Sequence, residues 1–483
     1  MLPETRLRLL PRWIDGRTER FVACCRVYNT IVGMRSSAQY VLLFSMAAAI
    51  TAPAQTLSTV VVFNGSNGSS PGPLVQGIDG NLYGVTYTGE SFANVFYGTV
   101  FKTTTAGVLT TIYAFGPNEA NPIGLSLDTN GAFYGETQQG GTITGLCTTP
   151  FCGTIFRMAP DGIPASIVSF NGTNGTDASN LISVSDGVLF GTSHAGGTNN
   201  YGTVFKITPG GTLTTLHDFA GPDGATPCDG LVLSPSGLLY GTTIGGGDSN
   251  DGTVFSMTPA GKLTTLHSFD GSDGAGACGL LSAGDETFYG FTTAGGTANG
   301  GTVFKITADG ILTTIANFAF SEAPTSLTLG TDGNLYGTVT FGTNFYGSIF
   351  ELTPAGTLTV LYTFTGGPIN FPGRLLQATD GNFYGTTGAD GDYFGVIFRL
   401  SVGLSAFVET LPTSGKIGDT VEILGTNLTR PASVTFNGTP ATITAVRPSE
   451  IIAAVPAGAT TGPVEVMMSG KTLLSNAPFR IVP

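Results

Sequence analysis

Short apolar segments recur along the chain between Leu57 and Leu400, separated by clusters of Gly, Pro, Asp and Ser. One unit reads GLVLS, LYGTT, GTVFKIT and TLTTLHDF, and each segment is rich in Thr, Val or aromatic residues. Segments of this length and composition, bounded by turn-forming residues, are typical of β-strands. Each unit is therefore predicted to contain four short antiparallel strands.

Aromatic positions define seven copies of this unit. Each copy has an aromatic residue before glycine, a Phe in the GTVF-like strand and a Phe that closes the LTTLxxF-like strand. The aromatic residue before glycine occurs at Tyr83, Tyr134, Phe190, Tyr240, Tyr289, Tyr336 and Tyr384. A repeat of about 50 residues with four strands is typical of the blades of a β-propeller.

Two of the four connections in each unit are constant in length and two vary. The first-strand Leu precedes the aromatic by nine residues in every copy, as from Leu231 to Tyr240. Constant connections predict tight hairpins, whose turns fix strand register. Since alternate connections of a four-stranded blade lie on opposite faces, the variable loops should share one face. Function concentrates on variable loops held by a rigid scaffold, so this face is the candidate binding face.

The repeat begins and ends within a unit. The chain enters at Leu57–Phe63, an LTTLxxF-like strand without a GTVF-like partner, and leaves at Val396–Leu400, a GTVF-like strand without its LTTL-like partner. Joining these halves would remove open sheet edges. The predicted fold is all-β: a seven-bladed β-propeller at residues 55–403, closed by its N-terminal strand. An open β-solenoid is the alternative.

The segments outside the repeat have different characters. Residues 1–54 are predicted to be a presequence: Met34 is the expected start, and a signal peptide with a short apolar run would be cleaved after Ala54. An uncleaved anchor is the alternative. Residues 404–483 contain short alternating segments with Gly, Pro and Asn turns, which predict a small immunoglobulin-like β-sandwich. We expect a secreted, periplasmic or cell-surface protein without a membrane span after cleavage.

Charge narrows the choice of partners. Residues 55–483 contain 12 Lys and Arg against 29 Asp and Glu, a net charge of −17. Such a surface repels nucleic acid and anionic lipid. The expected partner is an extracellular protein or a glycan, and the expected state is a monomer.

Four cysteines remain after the predicted cleavage. Cys147 and Cys152 lie in one long variable loop and are disulfide candidates, because an exported protein tolerates disulfides. Cys228 and Cys278 precede the first-strand Leu of consecutive units, so they should face each other across a unit boundary. A disulfide or two buried thiols are equally compatible with that position. The sequence shows no zinc-binding pattern.

Two segments resemble known families. Residues Pro412–Leu428 (PTSGKIGDTVEILGTNL) and VTFNG at Val434–Gly438 resemble an IPT/TIG domain, which has an immunoglobulin-like fold. The seven copies of GNLYGTT…GTVFKITPxGxLTTLxxF resemble the GloVer-type tandem repeats of exported bacterial proteins. The resemblance implies export and a propeller-like repeat, and it transfers no catalytic residue to this chain.

Residues just before the first-strand Leu should line the mouth of the propeller channel. Arg374 is the charged member of that ring, and Asp229 lies one step further out in its own copy. Arg374 could bind an anionic group, with a salt bridge to a loop acid as the alternative. The other ligand candidates are side chains of the variable face: His194, Asp248, Asp251, Asp390, Asp392, Tyr201, Tyr346 and Tyr393. Ordinary turn and packing roles are the alternative for these residues.

No catalytic motif is recognisable, so the sequence predicts no catalytic residue, no metal and no cofactor, with Ca²⁺ at the loop acids as the alternative. The predicted function is a non-enzymatic exported binding protein. Two alternatives remain: an extracellular enzyme acting on polysaccharide, hydrolase or lyase, and a structural or adhesive cell-surface protein.

Overall fold

The computed structural model describes residues 55–482, apart from 90, 93–94, 117–118, 143–151, 185–186, 343–344, 368–369 and 389–392, and apart from the side chains of 91–92 and 95–96. The first ten strands are β1 (Thr56–Val62), β2 (Ser69–Pro71), β3 (Val75–Gln76), β4 (Leu82–Thr88), β5 (Ser91–Phe92), β6 (Val95–Phe96), β7 (Thr99–Thr103), β8 (Leu109–Ala114), β9 (Ala120–Leu127) and β10 (Phe133–Gln139). The next ten are β11 (Thr154–Met158), β12 (Ala165–Ser169), β13 (Thr176–Ser183), β14 (Leu189–Ala195), β15 (Thr203–Ile207), β16 (Leu213–Asp218), β17 (Ala225–Leu233), β18 (Leu239–Gly245), β19 (Thr253–Met257) and β20 (Leu263–Ser268).

The remaining strands complete the repeat region and form the C-terminal domain. The repeat ends with β21 (Ala275–Ser282), β22 (Thr287–Ala294), β23 (Asn299–Thr307), β24 (Leu312–Ala319), β25 (Pro324–Leu329), β26 (Leu335–Val339), β27 (Ser348–Leu352), β28 (Leu358–Thr363), β29 (Leu376–Gln377), β30 (Phe383–Thr386) and β31 (Val396–Ser401). The C-terminal domain contains β32 (Val408–Leu411), β33 (Ser414–Gly415), β34 (Thr420–Gly425), β35 (Ser433–Phe436), β36 (Thr439–Pro440), β37 (Thr442–Val446), β38 (Glu450–Ala454), β39 (Val464–Met468), β40 (Lys471–Leu474) and β41 (Arg480–Ile481).

The repeat region folds into antiparallel sheets of the predicted four-strand kind. Within the described residues seven sheets, called repeat sheets 1 to 7, follow this plan: β2, β3, β4, β7 and β8; β9 to β12; β13 to β16; β17 to β20; β21 to β24; β25 to β28; and β29, β30, β31 and β1. Repeat sheet 1 has five strands, because the short strands β2 and β3 both pair with β4, and the other six have four. Repeat sheet 7 combines both ends of the repeat, because β1 pairs antiparallel with β31 from Thr56 opposite Ser401 to Val62 opposite Val396.

Ring packing explains the glycine that follows each aromatic position. Gly241 on β18 lies opposite Phe255 on β19, and a Cβ atom on Gly241 would lie 2.5 Å from the Phe255 ring. The six equivalent glycines stand in the same relation to the Phe of the next strand, with distances of 2.2 to 2.7 Å. The repeated Tyr-Gly and GTVF motifs are therefore two halves of one packing contact.

The aromatic residue itself connects neighbouring sheets. The Tyr240 ring stacks on Phe288 of the next sheet at 4.1 Å between centroids, and Tyr83 contacts Phe133 of its next sheet in a tilted arrangement at 4.4 Å. The Tyr83 hydroxyl donates a hydrogen bond of 2.8 Å to Asp79 in the preceding tight turn. Burial and this carboxylate raise the pKa of Tyr83. The aspartates of these turns therefore position buried tyrosines.

The C-terminal domain is a sandwich of two antiparallel sheets, β32–β34–β38–β37 and β36–β35–β39–β40. Val421, Ile423, Val434, Phe436 and Val464 are buried between them. Alternating inward-facing apolar residues on both sheets are the immunoglobulin-like arrangement. This part of the sequence prediction is confirmed.

The C-terminal domain packs on the tight turns of the repeat region. Ser449 Oγ donates to the carbonyl of Ile78 at 2.9 Å, and the hydroxyls of Thr379 and Thr426 lie 2.9 Å apart. Ile78 and Thr379 both lie in turns between the first and second strands of a repeat sheet. The domain therefore covers the turn face, which is opposite the face that carries the variable loops.

Candidate functional site

A cavity of about 320 Å³, here called the upper cavity, lies where the first strands of the repeat sheets converge. Every repeat sheet contributes to its wall. One representative from each sheet, in order, is Pro73, Gly124, Asn180, Asp229, Cys278, Ser326 and Arg374. Because these residues precede the first-strand Leu in each unit, the upper cavity lies on the side of the variable loops.

A second cavity of about 500 Å³, the lower cavity, lies on the turn side of the same strands. Its wall is formed by first-strand residues such as Leu231 and Leu375 together with Phe407, Glu409 and Asn476 of the C-terminal domain. Burial raises the pKa of Glu409. The C-terminal domain thus forms part of the wall of the lower cavity.

The two cavities share four lining residues: Pro73, Asn180, Asp229 and Arg374. Arg374 Nη1 lies 3.3 Å from both carboxylate oxygens of Asp229, and Asn180 Nδ2 donates to Asp229 Oδ1. Arg374 is therefore not an isolated cation but half of an ion pair, the alternative that the sequence left open. Both side chains are about one-third exposed to the cavities, so the pair contributes little to stability.

Irregular backbone aims these side chains into the cavities. The first strand bulges where β17 pairs with β18, between Cys228 and Leu231, and Asp229 there has φ of +60°. A β-bulge turns a side chain out of the regular alternation of a strand. Gly279 of the next sheet provides the space, because a Cβ atom on it would lie 2.7 Å from Asp229 Oδ2.

Glu136 on β10 is a further ionisable residue in the wall of the upper cavity. It is only 2% exposed, and its Oε1 accepts a hydrogen bond of 3.2 Å from the Leu181 N–H of the neighbouring sheet. Burial raises the pKa of Glu136 to about 8, although this hydrogen bond opposes the shift. A carboxyl with this pKa holds its proton at neutral pH and can donate it.

Sequence reasoning missed Glu136, although a signal for it was available. The residue occupies the position after Tyr-Gly, where the other six copies have Val85, Thr192, Thr242, Phe291, Thr338 and Thr386. A carboxyl at a position that is otherwise apolar or Thr departs from the repeat. Comparing the copies position by position would have identified it.

A disulfide forms part of the same wall. Cys228 on β17 and Cys278 on β21 are bonded, with their Cα atoms 5.0 Å apart, and both line the upper cavity. Cys152 is buried and also disulfide-bonded. Cys147, which the sequence suggested as its partner, lies outside the described residues.

The structure does not bring the predicted loop residues into the upper cavity. His194 is exposed at the end of β14. Burial raises the pKa of Asp177, and the charge of His194 partly offsets this shift. Asp248 and Asp251 lie in the loop between β18 and β19. The rings of Tyr201, Tyr346 and Tyr393 are exposed on the variable loops, and Asp390 and Asp392 lie outside the described residues.

Two negative observations apply to the described part of the chain. It contains no group of three or more His, Cys, Asp or Glu side chains placed to hold a metal ion. It also contains no helix long and apolar enough to cross a membrane.

Four-stranded antiparallel sheets whose first strands surround a common cavity define a β-propeller protein. A streptogramin B lyase has this fold, at a TM-score of 0.53 and 15% identity over 72% of this chain and 97% of that chain. Virginiamycin B lyase from Staphylococcus aureus is similar at 0.52 and 15%, over 72% and 99%. The extracellular domain of a proposed one component system from B. thetaiotaomicron is similar at 0.52 and 12%, over 87% and 48%.

The chain belongs to the Gloeobacter/Verrucomicrobia repeat family, whose profile matches the overlapping residues 145–340 and 232–439. Residues 407–481 match the IPT/TIG domain. Both assignments confirm the resemblance seen in the sequence. No curated protein sequence matches this chain significantly.

The comparisons correct one prediction. The sequence, which lacks a recognisable catalytic motif, predicted that the protein is not an enzyme. That prediction is wrong as it was drawn, because lyases share this fold, so the lack of a recognisable sequence motif does not exclude catalysis. At 15% identity the likeness concerns the fold alone and assigns no reaction to this chain.

Proposed function

We propose that this protein is an exported seven-bladed β-propeller that binds a glycan in the upper cavity, with access from the variable-loop face. The observation that carries the proposal is the construction of this cavity, because every repeat sheet contributes residues to a single space of about 320 Å³. Ligand sites of propellers and barrels are commonly found where strands converge on a central opening.

The seven-bladed ring is supported by the pairing of β1 with β31. This pairing gives repeat sheet 7 its fourth strand, as the other sheets have, and it protects the edge of β31. An antiparallel edge left open would be a site for aggregation. Export is supported by the predicted signal peptide at residues 34–54 and by the disulfide between Cys228 and Cys278, which an oxidising compartment permits.

The chemistry of the wall favours a carbohydrate. The volume of the upper cavity is at the small end of the range of about 300–1,000 Å³ for ligand pockets. A space of this size suits one or two sugar rings better than a folded protein. Hydroxyl, amide, carboxyl and guanidinium groups lie beside the Phe291 ring, a mixture that suits both the hydroxyls and the apolar face of a sugar.

Exposed aromatic side chains also lie on the variable loops. They are Tyr201, Phe341, Phe345, Tyr346, Tyr393 and Phe394. Phe341 and Phe371 pack together at 5.7 Å between ring centroids. Rings of this kind provide stacking platforms with little loss of conformational entropy. A chain whose terminal sugar enters the upper cavity could therefore cross these loops.

Catalysis on that glycan is the second candidate, favoured by two carboxyl groups in one cavity. Glu136 is buried and retains its proton at neutral pH, whereas Asp229 is paired with Arg374. A protonated carboxyl near a second carboxylate is the arrangement used for general acid catalysis at glycosidic bonds. In this reading Glu136 would protonate the leaving oxygen of a bound glycan.

One experiment tests both candidates. The chain without residues 1–54 is screened against immobilised neutral and acidic polysaccharides, and new reducing ends and unsaturated products are assayed in the same wells. Binding with or without product supports a glycan site, and product formation identifies the enzyme. Binding to none of the polysaccharides would overturn the proposal.

A further inference from the structure

We propose that Glu136 determines the specificity of the upper cavity by donating a hydrogen bond to an uncharged oxygen of the bound sugar. The ligand would thus be a neutral sugar at this point of the cavity rather than a uronic acid. This inference rests on the proposed function and adds the substrate class to it.

The geometry fixes one carboxyl oxygen and places the other beside Gly124 in the cavity wall. Oε1 of Glu136 accepts the N–H of Leu181, which holds the side chain in one orientation. Oε2 faces Gly124, where an added Cβ atom would lie 3.8 Å away. Glu136 and Gly124 are paired residues of β10 and β9, and both line the upper cavity. The glycine therefore leaves open the space in front of Oε2.

The charges around the cavity favour a protonated Glu136. The charged groups in the same wall are Asp229 from β17 and Arg374 before β29, and they pair with each other. Burial is the main cause of the raised pKa of Glu136, and its opposing causes are backbone hydrogen bonds. Arg374 is engaged by Asp229, and within the described part of the chain no cation contributes to the pKa of Glu136, so its ionised form is not stabilised by a neighbouring charge.

A protonated carboxyl both donates and accepts hydrogen bonds, whereas an ionised one only accepts. With Oε1 occupied by Leu181, the protonated Oε2 is the donor directed at the ligand. A sugar hydroxyl, ring oxygen or carbonyl can accept this bond. A carboxylate ligand at the same place would stabilise the proton but would be buried without a counter-ion, which is costly.

A purely structural role is the competing explanation, since the bond to Leu181 connects repeat sheets 2 and 3. Glu136→Gln separates the two roles. The amide oxygen keeps the bond to Leu181, and the amide NH₂ remains a donor at every pH. The matched control is Glu465→Gln on β39, which lies outside both cavities.

The test is a calorimetric titration of wild type, E136Q and E465Q at pH 6.5 and 9.5. The probes are cellotetraose, xylotetraose and mannotetraose, with tetragalacturonate as the acidic probe. We expect a neutral probe to bind wild type and E465Q at least about tenfold more weakly at pH 9.5, because most Glu136 is then ionised. E136Q should bind that probe with the same affinity at both pH values.

The other outcomes contradict either the role of Glu136 or the proposed glycan binding. Three outcomes would overturn the role of Glu136 while leaving the glycan site intact. Wild type could bind the neutral probe equally at both pH values, E136Q could lose the same affinity at pH 9.5 as wild type, or wild type could prefer tetragalacturonate. Failure of all probes to bind would overturn the proposed function and this inference with it. A cooperative melting transition of E136Q at pH 6.5 verifies that the variant is folded.

Discussion

Glu136 should also make the stability of the protein depend on pH in the absence of any ligand. Its pKa rises from 4.5 to about 8 on folding because the carboxyl is buried. Between these pH values the folded state binds more protons than the unfolded state, so the free energy of unfolding falls as pH rises and levels off above the folded pKa. E136Q lacks this titration.

Urea unfolding of wild type and E136Q between pH 5 and 9.5 measures the effect. The stability of wild type relative to E136Q should decrease from pH 5 to about the folded pKa of 8 and become constant above it. A difference between the two proteins that does not change with pH would show that Glu136 titrates normally.

Gly279 tests the position of Asp229. Its φ of +72° strains any other residue, and an added Cβ atom would lie 2.7 Å from Asp229 Oδ2. Gly237 is the matched control, because it has φ of +84° and nothing within 4 Å of an added Cβ atom. Gly237→Ala should cost only backbone strain, about 1–2 kcal/mol, and Gly279→Ala should cost more because its Cβ atom also collides with Asp229 Oδ2 and would lie 3.2 Å from the Phe291 ring.

Guanidinium unfolding of both variants measures that difference. Equal losses of stability in Gly279→Ala and Gly237→Ala would show that Asp229 is not held at this place.

At the residue scale the sequence predicted part of the site. Arg374 and Asp229 were both identified, since a charge before the first-strand Leu stands out among neutral residues. Their mutual contact was not determined, because it crosses from repeat sheet 4 to repeat sheet 7 and depends on the bulge at Asp229. Glu136 was missed because its signal, a carboxyl where the other copies have an apolar residue or Thr, emerges only when the copies are compared position by position.

Repeat sheets 4 and 5 are joined by the disulfide between Cys228 and Cys278, which closes a segment of 50 residues. A crosslink of this length should stabilise the fold by about 4 kcal/mol in the loop-entropy model. Cys228→Ser and the double variant Cys228→Ser/Cys278→Ser should lose this stability equally, because each breaks the same bond. Chemical unfolding checks the loss, and a single variant as stable as wild type would rule out a stabilising crosslink.

At the scale of strands the sequence was most informative. The four-strand unit is confirmed because alternation, turn residues and constant spacing all depend on local geometry, as with Gly241 and Phe255 facing each other across β18 and β19. The bulges in the first strands were not predicted. They arise where strands converge and neighbouring backbones compete for space, as at Gly230, where a Cβ atom would lie 2.5 Å from the Asn180 carbonyl oxygen.

At the scale of the molecule, the C-terminal domain has a larger role than the sequence indicated. The sequence predicted its immunoglobulin-like fold, but its place on the tight turns depends on scattered contacts such as Ser449 with Ile78. With Phe407 and Glu409 in the wall of the lower cavity, this domain lies at one end of the central opening. The variable loops lie at the other end, which is why we propose that ligands arrive there.

Gly124→Leu provides the most direct test of the central claim, that the upper cavity binds a glycan. Gly124 tolerates a Cβ atom, whose nearest neighbours would be Glu136 Oε2 at 3.8 Å and Asn180 Oδ1 at 4.0 Å, so a leucine there should fill the upper cavity without straining the fold. Gly210→Leu is the matched control, in an exposed turn where the nearest atom would be 3.9 Å away. The measurement is the affinity of wild type and both variants for a glycan found in the screen. We expect wild type and Gly210→Leu to bind equally and Gly124→Leu to bind at least about tenfold more weakly, a loss of about 1.4 kcal/mol. Binding by a folded Gly124→Leu variant that equals wild-type binding would show that the glycan does not enter the upper cavity, and it would contradict the proposed site.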